Sequence, residues 1–286
     1  MMKQSILMAC LSLCMGMQVL KAQQKEFKET IKKEIPFSNS TDNTLIVKNV
    51  FGSVVVEGYD GNKLVVVVEK TIRADNSQDL ELGKKELGLQ VVSRNNKVFL
   101  HPDAPYMNFD KNQLKYNWCN DYQDLSYEHL MNFKIRVPHS VQLNVGTVNE
   151  GEVTVKNTNG TYLEAKNVNG GITLSNVTGK TKVNCINGTV NISYTENPKS
   201  SSKYYSLNGD INISYQKALS VNISFKSMNG EMFTDFDIDK QFMKTNKEKS
   251  GRAKYKFESK PVVQIGNGQI DFDFETLNGN VFIKKI

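Results

Sequence analysis

Val168-Asn169-Gly170-Gly171-Ile172-Thr173-Leu174 is the stretch on which the reading of the fold turns: an apolar residue, Asn-Gly, a free position, then alternating apolar residues. The pattern returns in Ile186-Asn187-Gly188-Thr189-Val190-Asn191-Ile192, Leu207-Asn208-Gly209-Asp210-Ile211-Asn212-Ile213, Met228-Asn229-Gly230-Glu231-Met232 and Leu277-Asn278-Gly279-Asn280-Val281-Phe282-Ile283. A looser copy is Val50-Phe51-Gly52-Ser53-Val54-Val55-Val56, in which Phe51 stands in for Asn. Another corner, Asn149-Glu150-Gly151, carries Glu150 as a one-residue insertion. From Gly170 to Gly230 the glycines recur at 18, 21 and 21 residues, a period that marks stacked repeats.

Each repeat reads as two strands. Before the glycine, Thr181, Val183 and Cys185, or Phe272, Phe274 and Thr276, occupy every second position; after it come pairs such as Val190/Ile192 and Val281/Ile283. Period-two alternation on both sides places the inward residues of both strands in one core. The third position before the glycine holds only Asn167, Cys185, Ser206, Ser227 or Thr276, as a crowded corner requires. Asn-Gly at the corner predicts φ > 0 there. A second turn falls midway through the period, at Asn157-Thr158-Asn159-Gly160, Val177-Thr178-Gly179 and Asn197-Pro198. Two strands and two turns in about 20 residues match a solenoid rung rather than a propeller blade. The expectation is an all-β chain forming a single elongated parallel β-solenoid, with Gly52, Gly151, Gly170, Gly188, Gly209, Gly230 and Gly279 as structural turns. An antiparallel meander is the alternative, because Asn-Gly is also a hairpin signal.

The expected organisation is a signal peptide over 1–22, a polar lead-in over 23–43, and the repeat domain over 44–286 with excursions near 73–132 and 237–251. Lys3, an apolar run over 6–20 and Lys21-Ala22-Gln23 compose the signal. Cysteines at Cys10 and Cys14 invite a lipidation reading, but the first precedes most of the apolar stretch and the second follows bulky Leu13. The run is too short for a preferred membrane span, so no transmembrane segment is expected in the mature chain. One helix is expected in the first excursion, over 78–87, with Ser77 as N-cap. Beyond the signal only Cys119 and Cys185 remain, too few to imply a disulfide.

The six Gly-centred segments quoted first, the Val137-Pro138 lead into the regular repeats, and the closing Thr276-Leu277-Asn278-Gly279-Asn280-Val281 together resemble a bacterial adhesin-named family of exported β-strand-repeat proteins with no assigned function. The resemblance covers nearly all of the mature chain. It implies a β-solenoid of the cell envelope, located in the periplasm, at the outer-membrane surface or outside the cell. Some members are encoded near envelope-stress regulators.

Little in the sequence is chemical. His101, His129 and His139 lack metal-site spacing, and neither a nucleophile elbow nor a phosphate-binding glycine loop occurs. The acids of Asp235-Phe236-Asp237-Ile238-Asp239 and Asp271-Phe272-Asp273-Phe274-Glu275 alternate with apolar residues and read as outward, solvated faces. A net charge of +6 spread along the chain is no footprint of nucleic acid. No cofactor, metal or catalytic residue is expected. The function expected is that of a non-enzymatic envelope or surface scaffold binding an envelope protein or a surface glycan. The alternatives are a periplasmic stress-regulatory module and a carbohydrate-active enzyme using clustered carboxylates. Tyr106, Tyr116, Trp118 and Tyr122 in the aromatic excursion are the expected contact residues, with capping of the stack as their competing role.

Overall fold

A computed structural model describes residues 24–110, 115–118, 125–248 and 256–286. Strand β1 (Lys25–Pro36) is Lys- and Glu-rich yet turns Phe27, Ile31 and Ile35 onto the core. Strands β2 (Thr44–Lys48) and β3 (Val54–Tyr59) flank the Phe51-Gly52 corner, and β4 (Lys63–Ala74) returns antiparallel to β1. Helix α1 (Ser77–Glu86) follows; its N-cap is Asn76 rather than Ser77, with Asn76 Oδ1 accepting from Asp79 N at 2.9 Å. Next come β5 (Gly88–Arg94), β6 (Lys97–Asp103), β7 (Met107–Asp110), β8 (Lys115–Trp118) and β9 (Glu128–Pro138).

The regular repeats are strand pairs: β10 (Gln142–Thr147) with β11 (Val153–Thr158), β12 (Tyr162–Asn169) with β13 (Ile172–Val177), β14 (Lys180–Asn187) with β15 (Val190–Tyr194), and β16 (Ser202–Asn208) with β17 (Ile211–Tyr215). Then follow β18 (Val221–Lys226), β19 (Met232–Thr234), β20 (Lys240–Glu248), β21 (Lys256–Ile265), β22 (Ile270–Asn278) and β23 (Val281–Lys285).

The expected single parallel solenoid is not what forms. The strands make two large mixed sheets sharing one core, one of ten strands (β1-β4-β9-β3-β11-β13-β15-β17-β23-β19) and one of eleven (β20-β21-β18-β22-β16-β14-β12-β10-β2-β6-β5). The middle of each sheet is parallel, but β1, β4 and β9 pair antiparallel, as do β5 with β6, and β18, β21 and β20 in succession. Alternating sequence suits either direction equally well, so periodicity could not reveal these ribbons. Spatial order also departs from chain order, since β22 lies between β16 and β18, and β23 between β17 and β19.

The corner glycines do stack, in the order Gly52, Gly151, Gly170, Gly188, Gly209, Gly279, Gly230, but the expected conformation is wrong at all except Gly52. Left-handed φ falls instead largely at the other corner, at Asn157 (φ 55), Asn176 (φ 55) and Gly179 (φ 80). What the Asn-Gly corner requires is the absence of a Cβ. A Cβ on Gly188 would lie 2.3 Å from Gly170 O, and one on Gly209 would lie 2.2 Å from Gly188 O. Small residues of three corners donate to corner carbonyls: Asn167 Nδ2 to Gly151 O and Gly171 O, Cys185 Sγ to Gly170 O and Gly188 O, Thr276 Oγ1 to Gly279 O. Outside the corner, the Asn side chains form one amide ladder: Asn169 to Asn149, Asn187 to Asn169, Asn208 to Asn187, Asn278 to Asn208 and Asn229 to Asn278, at 2.6–2.9 Å. Between the sheets, inward Val, Ile and Leu dominate, except where buried Tyr194, Tyr204 and Tyr215 join hydroxyls, with Tyr204 Oη 2.8 Å from Tyr194 Oη and 3.0 Å from Tyr215 Oη.

Candidate functional site

At the first rung the amide ladder is interrupted, because the ladder position holds Phe51, which bridges to Asn149 as a parallel pair. An aromatic ring cannot continue an amide ladder, and Phe51 packs sideways against His129 at 5.1 Å between centroids and against Tyr106 at 6.4 Å. Beside it opens a cavity of about 350 Å³. Its apolar wall comprises Phe51, Tyr127, His129 and Leu130; Arg73, Glu128 and Glu150 supply charge.

Three local features assemble this wall. Strands β4 and β9 run antiparallel, setting Arg73 opposite Glu128 and Ile72 opposite His129. The inserted Glu150 adopts φ 57, unusual for a residue with a Cβ, and lines the cavity. Tyr127, just ahead of β9, is anchored from behind by its hydroxyl donating to Glu86 of α1 at 3.1 Å. Burial, then the Glu86 carboxylate, raise the Tyr127 pKa.

Charges at the cavity are unequally matched. Arg73 Nε donates to Glu26 Oε2 at 2.8 Å, so its charge is met by β1. Among the described residues, neither Glu128 nor Glu150 has an ion-pair partner. His129 Nε2 lies 2.7 Å from Tyr106 Oη, and burial lowers its pKa from 6.5 to about 4, so the imidazole is neutral near pH 7.

The other candidates distribute as follows. Tyr106 is buried, stacked on His129 at 5.6 Å between centroids. Tyr116 and Trp118 stand on β8, opposite Phe109 and Met107 of β7. Tyr122, Cys119 and the whole of 1–22, with Cys10 and Cys14, lie outside the described residues. Cys185 is buried with a free thiol, whose pKa burial pushes up to about 11. His101 Nδ1 donates to Pro102 O at 2.7 Å and His139 Nδ1 to Asn157 O at 2.6 Å. Among the described residues, no group of three or more His, Cys, Asp or Glu side chains is placed to hold a metal ion. The acids of β22 are engaged by their neighbours. Asp271 accepts from Lys244 Nζ at 2.6 Å and Asn222 Nδ2 at 3.2 Å, Asp273 from Ser224 Oγ, and Glu275 lies 3.9 Å from Lys226 Nζ.

A second surface lies towards the other end of the strand order. Met228, Phe233, Ile238, Phe242, Met243 and Ile286 are exposed there, with Met228 at 76% and Met243 at 60%; among the described residues the only other exposed large apolar side chain is Leu82. Phe233 stacks on Phe282 at 5.1 Å between centroids. The edge strands of the two sheets here are β19 and β20, and every residue over 240–244 is exposed. Within the second excursion, residues 240–248 form strand β20.

Fold and surfaces define an all-β strand-repeat protein with a ligand-sized aromatic cavity near one end of its stack and an apolar face near the other. Residues 137–284 match the Toastrack DUF4097 family, and the chain belongs to it. Three solved structures are similar to it. A proposed cell adhesion protein from Clostridium sporogenes is 11% identical, with 92% of this chain and 100% of that one covered and a TM-score of 0.37. A proposed adhesin from Bacteroides fragilis is 12% identical (93% and 99% covered, TM-score 0.35). A proposed lipid binding protein from Parabacteroides distasonis is 13% identical (91% and 96% covered, TM-score 0.29). No curated protein matches. No helix among the described residues is long and apolar enough to cross a membrane.

Proposed function

We propose that the chain is a non-enzymatic, exported envelope or cell-surface scaffold that meets a protein partner at the apolar end of its stack. The carrying observation is the concentration of exposed apolar side chains around β19 and β20, where both sheets also leave an unpaired edge. Contiguous apolar surface in water is costly and marks contact sites, and a free strand edge accepts a partner strand through its backbone. The β22 acids, which the sequence offered for a carbohydrate-active enzyme, do not support that alternative. An acid–base pair needs a carboxylate free to exchange a proton with substrate, whereas Asp271 and Asp273 are held by Lys244, Asn222 and Ser224.

Photo-crosslinkers placed singly at Phe233, Met243 and, as control, Thr173 of β13 test this in the native envelope. The expected result is one discrete adduct from Phe233 and Met243, none from Thr173, and loss of the Met243 adduct in Phe233→Asp while the protein remains folded. Equal crosslinking from all three positions refutes the assignment.

A further inference from the structure

We infer that the cavity between Phe51, Tyr127 and His129 binds an aliphatic ammonium group. Three aromatic residues line one space there, and an aromatic ring attracts a cation through its quadrupole, the more strongly when the cation is desolvated. The charge at the mouth has the matching sign. Glu128 and Glu150 have no ion-pair partner among the described residues, and Arg73 is turned to Glu26 on β1. This local acidity contrasts with the +6 of the chain as a whole. The neutral imidazole of His129 completes the case, because an imidazolium in the wall would repel the guest. A volume of about 350 Å³ suits a small ligand or the head of one longer group rather than a polymer segment. The two carboxylates disfavour anions.

The inference is independent of the contact at the apolar end, which lies on other strands. Its test is calorimetric titration of the full chain with choline and with Nα-acetyl-lysine amide, with sodium acetate and glucose as controls. Saturable binding of at least one ammonium probe is expected, with none of either control. Glu150→Gln and Glu128→Gln remove exposed charges without touching the core, and each is expected to weaken binding about ten-fold at low salt. Phe51→Asn restores the residue type found at the ladder position of the other rungs, so the fold should persist while binding falls about ten-fold. Flotation with phosphatidylcholine vesicles separates the sources: co-flotation abolished by Glu150→Gln assigns a lipid headgroup, and probe binding without flotation assigns a free or protein-borne ammonium. No saturation by either probe in the millimolar range, or unchanged affinity in both Glu→Gln variants, overturns the inference. Either result leaves crosslinking at Phe233 unaffected, so failure here is distinguishable from failure of the proposed function.

Discussion

Gly170 and Gly171 are adjacent, both lack left-handed φ, and alanine at each should have opposite consequences. A Cβ on Gly170 would lie 2.2 Å from Gly151 O and 2.8 Å from Asn167 Nδ2, the former a backbone atom fixed by the neighbouring rung. A Cβ on Gly171 would meet Thr189 O at 3.2 Å and otherwise only the flexible end of Glu152 at 3.7 Å. Relieving the first clash requires the rungs to part. That breaks the two bonds that cross to the neighbouring rung, Asn167 Nδ2 to Gly151 O at 3.0 Å and Asn169 Nδ2 to Asn149 Oδ1 at 2.6 Å. Overpacking costs about 1–3 kcal/mol and each lost bond about 1 kcal/mol, so Gly170→Ala should destabilise by about 3–5 kcal/mol. At about 2–4 °C per kcal/mol, Tm should fall by about 10 °C. Gly171→Ala should stay within about 1 kcal/mol of the parent, since reduced freedom of the unfolded chain offsets slight crowding. Thermal and urea unfolding of both variants measures the difference. Equal losses would refute the steric account, because intrinsic glycine effects are common to both positions.

Two further outcomes follow from buried polar groups. The native state excludes a proton from His129 that the unfolded chain accepts, so its contribution to stability is full above pH 6.5 and is lost as pH falls towards 4, roughly 3 kcal/mol in all; His129→Gln should flatten that part of the stability-versus-pH curve, and an unchanged slope would contradict the assignment. Tyr204→Phe removes the hydroxyl shared by Tyr194 and Tyr215 and should cost about 2–4 kcal/mol in urea unfolding, whereas Tyr205→Phe, half-exposed, should cost under about 0.5 kcal/mol.

The two strands around each Asn-Gly, their inward residues and the crowded third position were legible in the sequence because alternation and residue size report directly on burial. The reason for the glycines was not. Asn-Gly signals left-handed φ in hairpins, but here the constraint comes from a carbonyl of the adjacent rung, a neighbour that local sequence does not name. Mixed strand direction was hidden for a similar reason: β4 alternates as the rungs do, and only partner choice makes it antiparallel to β1 and β9. At the cavity, both clues were visible singly, Glu150 as an insertion and Phe51 as a replacement for Asn. Their convergence with Tyr127 and His129 depended on β3 pairing parallel with β9, a long-range match that neither segment encodes alone. The alternating acids of β22 did show which face they occupy, but not the Lys244, Asn222 and Ser224 partners that hold two of them.

The placement of β22 and β23 inside the stack bears on how the molecule is made. A chain emerging from its N-terminus can add β10 to β17 rung upon rung, each seated on the one before. The next segment in the chain, β18 and β19, has no such seat, because it lies only against strands that follow it, β21 and β22 for β18 and β23 for β19. Until β22 is made, Ile223 and Phe225 lack the residues they meet in register, Phe272 and Phe274. Closure of this end therefore waits for β22 and β23, a wedge of two strands driven between an existing stack and a waiting cap, and premature docking of β18 on β16 is the misfold against which the sequence must discriminate.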